Sequence, residues 1–118
     1  MNEKDITYVN ELLDAYDVLL TLKQQQMLNY YYKEDFSLAE IAELMNVSRS
    51  AVGDLLKRSE KVLIQYEERL KLVEKFKQRN IIYQKLYELK DKDINSYVSD
   101  LEKIDENGGN YESKNYCS

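Results

Sequence analysis

Apolar residues recur at intervals of three and four along nearly the whole chain, the period of an amphipathic helix. Ile6, Val9, Leu12, Leu13, Tyr16, Leu19 and Leu20 predict a first helix over 6–20. T-L-K-Q at 21–24 has the form of a capping box, in which Thr21 and Gln24 satisfy two free N–H donors at a helix start. Leu22, Met27, Leu28, Tyr31 and Tyr32 carry that second helix to about residue 33. Tyr30, Tyr31 and Tyr32 cannot share one side of a helix, because neighbours are about 100° apart, so they divide between core and rim. After a polar connection, Lys33-Glu34-Asp35, a second capping box, S-L-A-E at 37–40, opens a third helix with Leu38, Ile41, Ala42 and Met45 at helical spacing. Met45-Asn46-Val47 predicts a turn, since Asn tolerates the left-handed conformation that ends a helix. Ser48 caps a fourth helix with Val52, Leu55 and Leu56 inward, and Ala42 is small where the two backbones must approach. This is the spacing of a helix-turn-helix over 37–58.

Beyond the turn, Val52, Leu56, Ser59, Leu63, Tyr66, Leu70 and Val73 alternate in steps of four and three, a heptad seam about three repeats long. No breaker stronger than Gly53 lies between Arg49 and Asn80, so the second motif helix is expected to be long. The pattern weakens near 78–80. Ile81, Ile82, Leu86 and Leu89, flanked by Tyr83 and Tyr87, predict another helix. Asp93 is the expected cap of a last one carrying Ile94, Tyr97, Val98, Leu101 and Ile104. Asn107-Gly108-Gly109-Asn110 reads as a stop, followed by a disordered polar tail. The expectation is an all-α chain: one helical domain over 1–106, with a long second motif helix, additional C-terminal helices, and a tail over 107–118.

Composition fits that picture and removes several function classes. Pro is absent, and Gly occurs only at 53, 108 and 109. With no His and one Cys, Cys117, the chain offers neither an internal disulfide nor a His/Cys metal cluster. No phosphate-cradling Gly loop or catalytic pair is present. Glu67-Glu68 and Glu34-Asp35 read as solvated surface. The chain is expected to be no enzyme, to take no cofactor and no metal, to insert in no membrane and to be cytoplasmic.

The net charge of −5 argues against binding nucleic acid by bulk charge, but its distribution is uneven. Residues 48–80 carry nine Lys or Arg against five acids, whereas 1–36, 37–47 and 81–118 are each net acidic. In a helix-turn-helix the start of the second helix enters the major groove. Its outward positions here are Ser48, Arg49, Ser50, Gly53, Asp54, Lys57 and Arg58. Arg49 suits a bidentate contact to guanine, Ser50 a base or phosphate, and Lys57 and Arg58 phosphates. Asp54 puts a negative charge in that face, Gly53 leaves it without a side chain, and Glu40 and Glu43 add acids on the preceding helix. A helical adaptor acting through protein–protein contacts therefore stands as the alternative. The seam of Val52, Leu56, Leu63, Tyr66, Leu70 and Val73 is the candidate packing or homodimer surface.

Beyond these patterns, L-L-T-L-K-Q-Q-Q at 19–26, Y-Y-K-E-D-F-S-L-A-E-I-A-E at 31–43, V-S-R-S-A-V at 47–52 and L-K-R at 56–58 resemble the YlxM family of small bacterial proteins, over roughly residues 6–90. The motif core is also similar to the promoter-reading region of sigma factors. The resemblance implies an all-helical helix-turn-helix protein with a regulatory role in the signal recognition particle pathway, a role inferred from the genes beside which members are encoded. The partners it implies are DNA, signal recognition particle RNA or proteins of that pathway. Ser48, Arg49 and Ser50 match the start of the family's second motif helix, and Lys57-Arg58 its basic pair. The chain departs from the family at Gly53 and in its Gly-Gly tail.

Overall fold

The computed structural model describes residues 3–106, with side chains from Ile6 onward. The expected tail at 107–118 and Cys117 lie outside the described residues. Among the described residues every regular element is helical: α1 (Glu3–Tyr16), a 3₁₀ turn (Asp17–Leu19), α2 (Leu22–Leu28) continuing into a π-turn (Asn29–Lys33), α3 (Leu38–Met45), α4 (Arg49–Leu70), α5 (Leu72–Tyr87) and α6 (Lys92–Glu106). The helices form two compact units that divide between Lys71 and Leu72.

In the first unit, α1, α2 and α3 pack against α4. Val9, Leu12, Leu13 and Tyr16 from α1, Met27 and Leu28 from α2, Ile41 and Ala42 from α3, and Val52, Leu56 and Leu63 from α4 form its core. The first helix stops at Tyr16, four residues short of the expectation. A 3₁₀ turn then leaves Val18 and Leu19 exposed and returns Leu20 to the core. The second helix reaches Lys33 as expected, but its last turn is widened, with the Glu34 amide donating to the Asn29 carbonyl at 3.0 Å. Tyr32 is buried, Tyr31 packs edge-on against it, and Tyr30 stacks on Phe36 with ring centroids 5.4 Å apart.

Glu67 corrects the sequence reading. It lies one turn after Leu63 on the buried side of α4, and its carboxylate accepts from the Tyr16 hydroxyl at 2.5 Å. A buried carboxylate requires such a donor. Glu68, its neighbour, is exposed. Tyr32 makes the parallel contact about two turns earlier on α4, donating to Glu60.

The long helix ends at Leu70, where Lys71 takes a left-handed conformation (φ 56°) and its amide donates to the Glu67 carbonyl. Val73, the last residue of the predicted seam, therefore belongs to α5, and α5 runs unbroken through 78–80. A Lys in the left-handed region leaves no Gly-like signal in the sequence, which is why the break was expected later.

In the second unit α5 and α6 pair as an antiparallel hairpin. Asp105 accepts from Tyr83 at 3.0 Å and from Arg79 at 3.2 Å, and Glu102 accepts from Tyr87 at 2.5 Å. Burial and these carboxylates raise the pKa of both tyrosines, burial leading at Tyr83 and the hydrogen bond to Glu102 at Tyr87. The last helix is capped by Asp91 and not by Asp93: the Asp91 carboxylate accepts from the Asp93 and Ile94 amides at 2.9 and 3.0 Å. No helix among the described residues is long and apolar enough to cross a membrane.

Candidate nucleic-acid interface

The motif is built by local contacts in the order that its residue types dictate. Ser37 accepts from the Glu40 amide at 3.1 Å while the Glu40 carboxylate accepts from the Ser37 amide at 2.8 Å, closing the capping box. These bonds from Ser37 hold the Glu40 carboxyl below the usual range, so this acid has a structural task at the start of α3. Asn46 ends α3 in the left-handed conformation (φ 55°, ψ 47°), and the Val47 amide closes back on the Ala42 carbonyl at 3.0 Å. Two residues later Ser48 opens α4, its hydroxyl oxygen accepting from the Ala51 amide at 3.0 Å. The Ser48 proton stays available to donate, since a hydroxyl both accepts and donates. The amides of Arg49 and Ser50 stand at the helix start, where no intrahelical acceptor exists.

Ser48, Arg49, Ser50, Asp54, Lys57 and Arg58 are all exposed. At about 100° per residue, Ser50, Lys57 and the next basic turn, Lys61, fall along one line of α4. Val52, Leu56 and Leu63 lie across the helix from that line and are buried against the other helices of the unit. Arg49 and Arg58 flank the outward line on either side, with Asp54 near its middle. Lys61 is the residue that the sequence reading left out. It continues the same outward face one turn past Lys57, a spacing that the long helix expected from Arg49 onward already offered. Gly53 sits on this face, and a Cβ there would meet nothing within 4 Å. The helix does not need a glycine at this position for its own packing.

Of the predicted seam, Val52, Leu56 and Leu63 are core, Tyr66 is half-buried and donates to the Leu19 carbonyl at 3.3 Å, and Leu70 is exposed. The first half of the seam thus meets the chain's own N-terminal helices.

The comparisons with known proteins agree with this architecture. The UPF0122 family, described as "Putative helix-turn-helix protein, YlxM / p13 like", matches residues 3–104. The UPF0122 protein YlxM of Bacillus subtilis is 44% identical over 110 residues, which span 89% of this chain and 100% of that protein. A UPF0122 protein of Halalkalibacterium halodurans is 50% identical over 88 residues, 75% of this chain and 81% of its own. One of Clostridium acetobutylicum is 49% identical over 89 residues, 72% of this chain and 77% of its own. With the motif's caps, turn and buried face in place and these relatives matched over most of their length, the chain belongs to the UPF0122 family of helix-turn-helix proteins.

Proposed function

We propose that the protein is a regulatory DNA-binding protein that reads duplex DNA with the N-terminal half of α4. The observation that carries this reading is the outward line of Ser50, Lys57 and Lys61, exposed along one side of a helix whose other side is core. Arg49 and Ser50, in the first turn, reach base edges, while Lys57, Arg58 and Lys61 neutralise phosphates. Gly53 lets the helix axis come closer to the groove wall than a larger residue would. The geometry favours DNA over double-stranded RNA, because the B-form major groove admits a helix and the deep, narrow A-form groove does not. A role in the signal recognition particle pathway follows from the resemblance to the YlxM family alone.

The test is binding of the purified protein to duplex DNA and to signal recognition particle RNA at low and moderate salt. Groove binding weakens steeply with salt, because neutralised phosphates release counterions. Lys57→Ala with Lys61→Ala is expected to lower the slope of log K against log salt by about 2 and to weaken all duplexes alike. Arg49→Ala is expected to relax sequence preference. Binding unchanged by Arg49→Ala together with Lys57→Ala overturns the reading. It would favour the adaptor alternative, for which Asp54, Glu43 and the exposed Leu44 on the motif's own helices offer a protein-facing surface.

A further inference from the structure

The hairpin of α5 and α6 has two unlike sides. Phe76, Asn80 and Gln84 on α5 and Glu102 and Glu106 on α6 line a shallow cleft of mixed polarity on one of them. Roughly half a turn around each helix from those residues runs an apolar stripe. On α5 it is Ile82, Leu86 and Leu89, and on α6 it is Tyr97, Leu101 and Ile104, each at the i, i+4, i+7 spacing of one helix face. The hydrogen bonds of Tyr83 to Asp105 and of Tyr87 to Glu102 set the register of the two helices. In that register Ile82 stands level with Ile104, Leu86 with Leu101 and Leu89 with Tyr97, three apolar rows on the same side of the hairpin. Leu86 is half-buried, and the other five side chains are 44–69% exposed. Apolar side chains gathered on one exposed face are a common mark of an interaction site.

The edges of this face carry opposite charge. Lys85 lies at the outer edge on α5 and Asp100 at the outer edge on α6, both exposed. Neither has an ion-pair partner among the described residues. Two copies stacked face to face have two symmetric choices. With the two-fold axis across the helices, α5 lies on α5 and Lys85 meets Lys85, Asp100 meets Asp100. With the axis parallel to the helices, α5 of one copy lies on α6 of the other, every neighbouring pair is antiparallel, and Lys85 comes within a turn of the other copy's Asp100. Only the second choice avoids like charges.

We propose that this face docks a second copy of the chain, two hairpins closing into an antiparallel four-helix bundle about a two-fold axis parallel to their helices. The six apolar side chains become the bundle's inner layers, as in other bundles of paired hairpins. The homodimer expected from the sequence is thereby moved from the α4 seam to the hairpin, and it does not depend on how α4 is used.

Sedimentation or light scattering of the full-length protein over about 1–100 μM tests the proposal. A mass twice the monomer's 14.1 kDa is expected, and a monomer throughout overturns it. Leu86→Glu and Leu101→Glu are each expected to yield a monomer with unchanged helical content by circular dichroism. A dimer that survives both overturns the choice of face, and a variant that loses helicity is replaced by Tyr97→Lys, which is the most exposed of the six. Lys85→Glu and Asp100→Lys are each expected to raise the dimer dissociation constant about tenfold, and the double exchange to restore it to within about threefold. Absence of that rescue overturns the arrangement of the bundle.

Discussion

The two units of this protein meet the same problem, burying apolar helix faces, and solve it to different extents. In the first unit, four helices enclose side chains such as Leu12, Leu28, Ile41, Val52 and Leu63 with essentially no exposure, and the carboxylate of Glu67 is taken inside on a tyrosine hydroxyl. In the second, two helices meet, Val73, Tyr83 and Val98 are buried, and Ile81, Ile82, Leu89, Tyr97 and Ile104 stay more than half exposed. Both units use tyrosine–carboxylate bonds across helices: Tyr16–Glu67 and Tyr32–Glu60 in one, Tyr83–Asp105 and Tyr87–Glu102 in the other. The contrast teaches that such bonds set register in either unit, while only a third and fourth layer of helix exclude water. A two-helix hairpin has one contact face and leaves the rest of its apolar surface exposed.

Substitutions that probe this contrast differ most in the core. Leu63→Ala should destabilise the first unit by about 2–5 kcal/mol, whereas Ile81→Ala, exposed on α5, should stay within about 0.5 kcal/mol. Hydrogen exchange resolved by segment measures both, because two units need not unfold as one transition. Equal effects would break the comparison.

Tyr16→Phe removes a donor from a buried carboxylate and should cost about 1–3 kcal/mol, while Tyr87→Phe, at a half-buried pair, should cost less than about 1 kcal/mol. Denaturant unfolding of the two variants gives the difference directly.

Lys90 joins α5 to α6 with φ 55°. Lys90→Gly should stabilise the hairpin by about 1 kcal/mol by relieving the left-handed strain, read as slower exchange in α6. Gly53→Ala should stabilise α4 by about 0.5–1 kcal/mol, since the added Cβ meets nothing, and should weaken DNA binding if close approach at Gly53 is used.

Two pH responses separate the units with the smallest effects. The pKa of Glu40 is lowered in the fold from its ordinary 4.5. Its contribution to the start of α3 is complete above that value and is lost as pH falls through the lowered one. Tyr83 and Tyr87 have pKa values raised from 10.0. Their contribution is complete below pH 10 and is lost as pH rises through the raised values. Acid should therefore loosen the motif's first turn, and alkali the hairpin, as read by segment-resolved exchange of Glu40→Gln, Tyr83→Phe and Tyr87→Phe against the parent.

By itself, the sequence determined the parts of this protein that close within a few residues. Thr21 with Gln24, Ser37 with Glu40, Asn46 in its left-handed turn and Ser48 on the Ala51 amide all appear where residue type and spacing place them. Each is satisfied by a partner three or four positions away, so no distant contact has to be known. The candidate face of α4 was legible for the same reason, because an unbroken helix makes exposure periodic, and Lys61 on its next turn carried the same signal. The tertiary structure decided the rest. Glu67 is buried because Tyr16 stands 51 positions earlier in the chain, and a two-residue acidic string carries no sign of that. The early end of α1, the widened turn at Asn29–Lys33 and the break at Lys71 arise where helices must fit around one another, at residues that have no strong preference to stop. Between Asp91 and Asp93 either side chain suits a cap, and the structure uses the first. Local chemistry settled the helix starts and the motif turn. Packing over long sequence separations settled where several helices end and which polar groups are taken inside.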